Sequence, residues 1–320
     1  MLSWFRVLGL AALLFAIRDP AIVVAEGEPG AESWFRFNPC GEEHQFVQRV
    51  TMTRVKDAGV LGTTVDVSRT ETSIRVQRID GGFLITAKPI SSQMTRDGVE
   101  LDNPFVRAVQ AVEMTMKLDG DGHLVEIRGI EEFVDNMMAE LPEGARASVS
   151  KLINAEMLIA KETAEWNGRI GDFIGATVTE GETWEYEAPF QLPSGGEIPF
   201  WTTVTFNRSD SCGQCDCLEI VTSYTSDVSA IAGLVTETVE GVVESAGGSD
   251  AAELELEERI EGGGVRVIDP NTMRIYSERM ERTMTIRVEQ PGMDPFPMTM
   301  TEAREFEFDY RDAYCGPDVE

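Results

Sequence analysis

Histidine is nearly absent from this chain: 320 residues contain only His44 and His123. No G-x-S-x-G turn, H-E-x-x-H helix, phosphate loop or dinucleotide fingerprint is present either. The 56 Asp and Glu leave a carboxylate pair of the glycosidase kind open but single out no two residues for it. Nucleophilic, zinc-hydrolytic and cofactor chemistry therefore have no foothold, and the expectation is a non-enzyme with no cofactor. Positive charge is also scarce, with 27 Lys and Arg against 56 Asp and Glu and a net charge of −29. Basic residues are scattered singly among acids, so no patch exists to attract a phosphate backbone or an anionic bilayer. Nucleic acid is excluded as a partner. The acidic surface reads first as a solubility device.

Long apolar runs are missing too. The one candidate, Val7 to Ile17, is broken by Arg18-Asp19 and is too short for a span, which needs about 20 residues. Arg6 precedes it, Val23-Val24-Ala25 supplies small residues after it, and an acidic stretch opens at Glu26. A basic start, a greasy centre and a small-residue exit form a signal peptide over 1–25, with cleavage after Ala25. Removing its Arg6, Arg18 and Asp19 takes the net charge from −29 to −30. No transmembrane segment then remains, and no cysteine lies at the cleavage point to carry a lipid. The expected location is periplasmic or extracellular.

An oxidising compartment makes disulfides the default for the five cysteines. Cys40 and Cys315 bracket the mature chain, and a bond between them would pin its ends. Cys212, Cys215 and Cys217 share one polar loop, where a local bridge such as Cys212 to Cys217 uses two and leaves one over. A C-x-x-C-x-C run also suits a soft metal or thiol exchange. Zinc, however, wants four ligands, and the histidines are remote in sequence. No metal is expected.

Residues 26–43 read as a Gly/Pro-rich acidic lead-in, 44–315 as a single β-rich domain and 316–320 as a tail. Period-two alternation marks strands over Thr63 to Asp80, Phe83 to Ala87, Val109 to Leu118 and the final run holding Phe306, Phe308 and Tyr310. Phe46, Gln48, Val50, Met52 and Arg54 share a face, as do Met280, Met284, Ile286 and Val288. Asp80-Gly81-Gly82 is a hairpin turn. Asp119-Gly120-Asp121-Gly122 offers both a calcium loop and a hairpin; His123 and Ile130 occupy positions where calcium ligands belong, so the hairpin is preferred. At Ile130 the period changes: Ile130, Phe133, Val134, Met137, Met138 and Leu141 follow helical spacing. A second helical stretch runs from about Glu143 to Glu165. Ala230 to Ala246 fits helix or strand. The order strands, helices, strands gives an α+β fold, mainly β. It implies a large curved antiparallel sheet with a helical insert at about 130–165 packed on it.

Three stretches carry a resemblance: Met116 to Gly129 leading into a helix, Thr179-Glu180-Gly181-Glu182-Thr183-Trp184 opening a strand, and Gly264 to Asp269 followed by Met273 to Arg279. They resemble uncharacterised exported bacterial proteins similar in architecture to the LolA- and LppX-type lipoprotein-carrier half-barrels. That resemblance implies a hollow closed by helices and transfers no site residues. Met114, Met116, Phe133, Met137, Met138 and Met157 are the candidate lining of such a hollow, because thioethers adapt to irregular apolar ligands. Core filling is the plainer role for the same residues. The expected partner is a lipid or other apolar ligand. Another envelope protein, meeting a packed module, is the alternative.

Overall fold

The computed structural model describes residues 23–24, 31–39, 41–57, 59, 62–102, 104–141, 143, 146, 150, 154–191, 197–209, 212, 216–227, 254–255, 259–288 and 296–310. Its strands are β1 (Val23–Val24), β2 (Glu32–Trp34), β3 (Glu43–Asp57), β4 (Thr63–Ile79), β5 (Gly82–Arg96), β6 (Val99–Glu100), β7 (Met114–Leu118) and β8 (Leu124–Arg128). After the helical region come β9 (Thr177–Thr179), β10 (Thr183–Gln191), β11 (Glu197–Ser209), β12 (Cys217–Asp227), β13 (Leu254–Glu255), β14 (Arg259–Asp269), β15 (Arg274–Val288) and β16 (Phe296–Tyr310). The helices are α1 (Pro104–Ala111), α2 (Ile130–Glu140) and α3 (Ala155–Arg169), followed by a 3-10 turn at Gly171–Phe173.

One open antiparallel sheet runs β1-β10-β11-β12-β14-β15-β16-β3-β4-β5-β7-β8, with β6 and β13 as short side pairings. Most neighbours in the sheet follow one another along the chain, but β1 pairs with β10 at one edge. At the centre, β16 pairs with β3, Phe306 opposite Val50. The expected mainly β architecture, an antiparallel sheet with helical cover, is the one found.

Local chemistry sets the turns. Gly82 ends the β4–β5 turn where a Cβ would lie 2.1 Å from the Leu118 carbonyl oxygen, so no side chain fits. The Asp119–Gly122 segment is a hairpin turn: Asp119 Oδ1 accepts from the amides of Asp121, Gly122 and His123 at 2.9–3.0 Å. α2 begins where the period change placed it. α3 is capped by Asn154, whose side chain accepts from the Met157 amide at 2.9 Å. Of the stretch expected to be helical from about Glu143, Glu143, Arg146 and Ser150 are helical, and the extended Asn154 then precedes α3.

Two expectations shift. The strand expected from Val109 starts at Met114, because Pro104 opens α1 instead, a position where its missing N–H costs nothing. Within the lead-in, Phe35 is fully buried against Phe173 and Phe206, while β2 pairs with β9. That segment is thus part of the packed unit. Residues 1–22, Cys40, Cys315 and 230–246 lie outside the described residues, as do the readings placed on them. Cleavage after Ala25 would remove β1.

The core sits at one end of the helix-facing side of the sheet. One apolar cluster joins Phe35, Phe173, Trp184, Phe206, Ile220 and Ile268; a second joins Ile74, Val76, Phe83, Ile85 and Leu118. Phe37 and Trp166 touch both and weld them together.

Candidate functional site

Directly paired residues of neighbouring strands point to the same side of a sheet, so each row across the sheet can be read from the register. On the helix-facing side one row runs Tyr224, Gly262, Arg282, Glu302, Arg54, Asp66 and Arg96. Two residues away along the strands lies Thr222, Gly264, Met280, Arg304, Met52, Ser68 and Met94. Charge therefore crosses the middle of a face whose end is an apolar core.

These charges are locked to one another. Glu302, 2% exposed, accepts from Arg54 Nε and Nη2 at 3.0 and 2.6 Å through Oε2. Its Oε1 meets Arg282 Nη2 at 3.1 Å and Arg304 Nη2 at 2.9 Å. Asp66 takes a two-point contact from Arg96, at 2.6 and 3.1 Å, with Lys56 Nζ at 3.5 Å. Glu278 is held by Arg266 at 3.0 and 2.6 Å and by Arg169 of α3. Arg266 also donates to the Arg169 carbonyl at 2.9 Å, and Arg169 lies over the Phe306 ring. The C-terminal end of α3 is thereby clamped to the sheet. One turn and two turns earlier, Glu165 and Lys161 pair at 3.1 Å on the same helix.

Burial alone would raise these carboxyls, but the surrounding cations win. Arg282, Arg304 and Arg54 hold Glu302 down at about 2. Burial likewise opposes ionisation of Glu165, which Lys161, Arg169 and Arg304 hold at about 2. Asp66 and Glu278 are shifted down against burial in the same way. Burial dominates at Lys56, whose ammonium is lowered despite Asp66. Carboxylates held this far below neutrality are poor proton shuttles, so the belt suits holding charge in place rather than transferring protons.

In the second row the half-buried thioethers of Met280, Met52 and Met94 alternate with Arg304 and Ser68. No protein-family model matches the chain, and no curated protein does. Among solved structures it is similar to lipovitellin, in a structure titled for its lipid–protein interactions. That match has a TM-score of 0.42 and 10% identity, covering 88% of this chain and 26% of that one. It is also similar to the β domain of the Bordetella autotransporter Brka, at a TM-score of 0.20 and 7% identity over 82% and 98% of the two chains. This chain spans about a quarter of lipovitellin's length. At these scores neither likeness bears on function. No family match supports the LolA and LppX resemblance, and what stands is the fold class.

Of the residues expected to line a hollow, three share one cluster and Met116 lies in another. Phe133, Met137 and Met138 pack with Ala108, Leu141 and Leu158 between α1, α2 and α3. Met116 joins the sheet cluster of Ile85 and Leu118 instead. Met114 is half-buried on β7, and Met157 half-buried on α3. The expected local bridge is present as Cys212–Cys217. Among the described residues, Asp119, Asp121 and His123 approach within 4.8 Å, a closeness the hairpin turn itself produces. The ion belt and the row holding Met52 and Met280 were missed, although Met52-Arg54 and Met280-Met284 stood on readable strand faces. Their signal was a basic or acidic residue on an otherwise apolar alternating face.

Proposed function

We propose that this is an exported, non-enzymatic binding protein that holds a lipid-like, amphipathic ligand against the helix-facing side of its sheet. The reading rests on the juxtaposition of the half-buried Met280, Met52 and Met94 with the charge belt, whose Arg304 stands in the same row between Met280 and Met52. A tail lying along Met94, Met52 and Met280 would gain about 0.8 kcal/mol per buried methylene, while the polar head would meet the arginines beside Glu302. Thioethers adapt to tails of differing shape. Export, with cleavage after Ala25, belongs to the same reading and is supported by the signal-like N-terminus and the Cys212–Cys217 bridge.

Native mass spectrometry of the purified protein, followed by organic extraction, tests it. The expected result is an adduct that extracts as an amphiphile and is lost in Met52→Arg. A homogeneous apo mass, with no uptake of a fluorescent fatty acid, would refute it. That outcome would favour an envelope interaction module, consistent with the tight packing around Phe35, Phe206 and Ile268.

A further inference from the structure

The opposite, outward side of the sheet carries a second feature, independent of the helix-covered face. β14 contains three consecutive glycines, Gly262, Gly263 and Gly264, in the middle of paired strands. At Gly263 a Cβ would sit 2.4 Å from the Thr222 carbonyl oxygen, so the backbones approach too closely for any side chain. The register places Gly263 between Ser223 of β12 and Glu281 of β15, all pointing outward. Gly263 lies in the floor of an open depression of about 580 Å³ across β12, β14 and β15, bounded also by Val265, Arg279 and Glu261. That volume is in the range of small-ligand sites, roughly 300–1,000 Å³.

On the same side, β11 presents Trp201, 47% exposed, directly opposite Thr225 of β12 and Glu187 of β10. Thr225 in turn faces Glu261 at the rim of the depression. An indole is thus continuous with a cavity edged by hydroxyl, carboxylate and guanidinium groups. The chemistry of this set is specific. The face of an indole is electron-rich and packs on the C–H face of a pyranose. Carboxylates accept from vicinal hydroxyls and a guanidinium donates to ring and hydroxyl oxygens. Glu187, Glu261 and Glu281 outnumber Arg279, so phosphate, sulfate and uronate groups are repelled. Trp201 and Gly263 lie two strands and two residues apart, about 12 Å by strand spacing and rise. No single ring touches both.

We propose that this outward face binds an uncharged oligosaccharide. One ring stacks on Trp201, and a later ring of the same chain enters the Gly263 depression to meet Glu261, Glu281 and Arg279.

Isothermal titration of the mature protein with neutral hexasaccharides of glucose, mannose, xylose and N-acetylglucosamine tests this, with an oligouronate as the anionic control. At least one neutral chain is expected to bind, and its monosaccharide and the oligouronate to fail. Trp201→Ala should weaken binding by about tenfold or more, equivalent to about 1.4 kcal/mol, with an unchanged thermal midpoint. Glu281→Gln should weaken it several-fold. Absence of binding by every neutral chain at millimolar concentration would overturn the proposal, as would Trp201→Ala binding like the parent protein. Neither result touches the fatty-acid assay of the helix-covered face.

Discussion

Arg54 and Glu302 stand 248 positions apart in sequence and share two hydrogen bonds on adjacent strands at the centre of the sheet. Their contact joins the first long strand to the last. Arg282 and Arg304 close on the same carboxylate, so one buried glutamate organises three guanidinium groups.

Glu302→Gln should be among the most damaging single changes. It removes the charge that offsets three arginines in a desolvated place, a loss of about 3–5 kcal/mol when one side of a buried pair is deleted. Urea unfolding followed by circular dichroism measures it. A loss below about 1 kcal/mol would show that the belt is solvated and easily rearranged.

The same carboxyl sets an acid limit. Glu302 titrates at about 2 in the folded chain against an ordinary 4.5. Because its folded value is depressed, its stabilisation is complete above about pH 4.5 and is lost as pH falls towards 2, where the unfolded chain has already taken its proton. The stability gap between the parent protein and Glu302→Gln should therefore be constant from neutrality down to about pH 5 and shrink below it. A gap independent of pH down to 2.5 would contradict the assignment.

Thr202 offers a change of opposite sign. It is 3% exposed, and its Oγ1 has no hydrogen-bond partner among the described residues. Thr202→Val keeps the shape and removes the stranded hydroxyl, so a gain of about 1 kcal/mol is expected. Thermal unfolding reports it directly, and destabilisation would mean that a water satisfies the hydroxyl.

The Cys212–Cys217 bridge closes a loop of five residues in sequence separation. By the chain-entropy relation its reduction should cost about 2 kcal/mol. A non-reducing peptide map should recover Cys212 joined to Cys217 with Cys215 outside that bond, and the same map decides whether Cys40 and Cys315 are joined.

N-terminal sequencing of protein recovered from outside the cytoplasm should begin at Glu26. Recovery with Met1 intact in a membrane fraction would reject cleavage and export in soluble form.

Strand chemistry was legible wherever one face was cleanly apolar. The alternation in β4 and β16 and the turns at Asp80-Gly81 and Asp119–Gly122 are local signals, and the structure follows them. α2 was equally readable from its spacing. α1 was not, because eight residues make little more than two turns and Val109 to Leu118 suits a strand by composition. The belt was hidden for another reason. Arg54, Asp66, Glu302 and Arg282 look like surface residues, since burying any one alone is prohibitive, and only the register shows that each is delivered to its partner. Burial of Phe35 depends in the same way on Phe173 and Phe206, which no local pattern near residue 35 announces.

The pairing of β16 with β3 has a kinetic meaning. During synthesis the meander from β3 to β8 can zip together locally, and so can the one from β10 to β15, but each is left with a bare interior edge. The two halves join only after the final strand has been made. The contact that joins them spans nearly the whole described chain, and such non-local closures are slow. Until then β3 displays an unpaired edge with Arg54 facing no carboxylate from β16, a half-sheet open to capture by a chaperone or by another chain. Moving the break in the chain to the β8–β9 connection, by circular permutation, would turn this last encounter into a hairpin and should speed folding without altering the finished sheet.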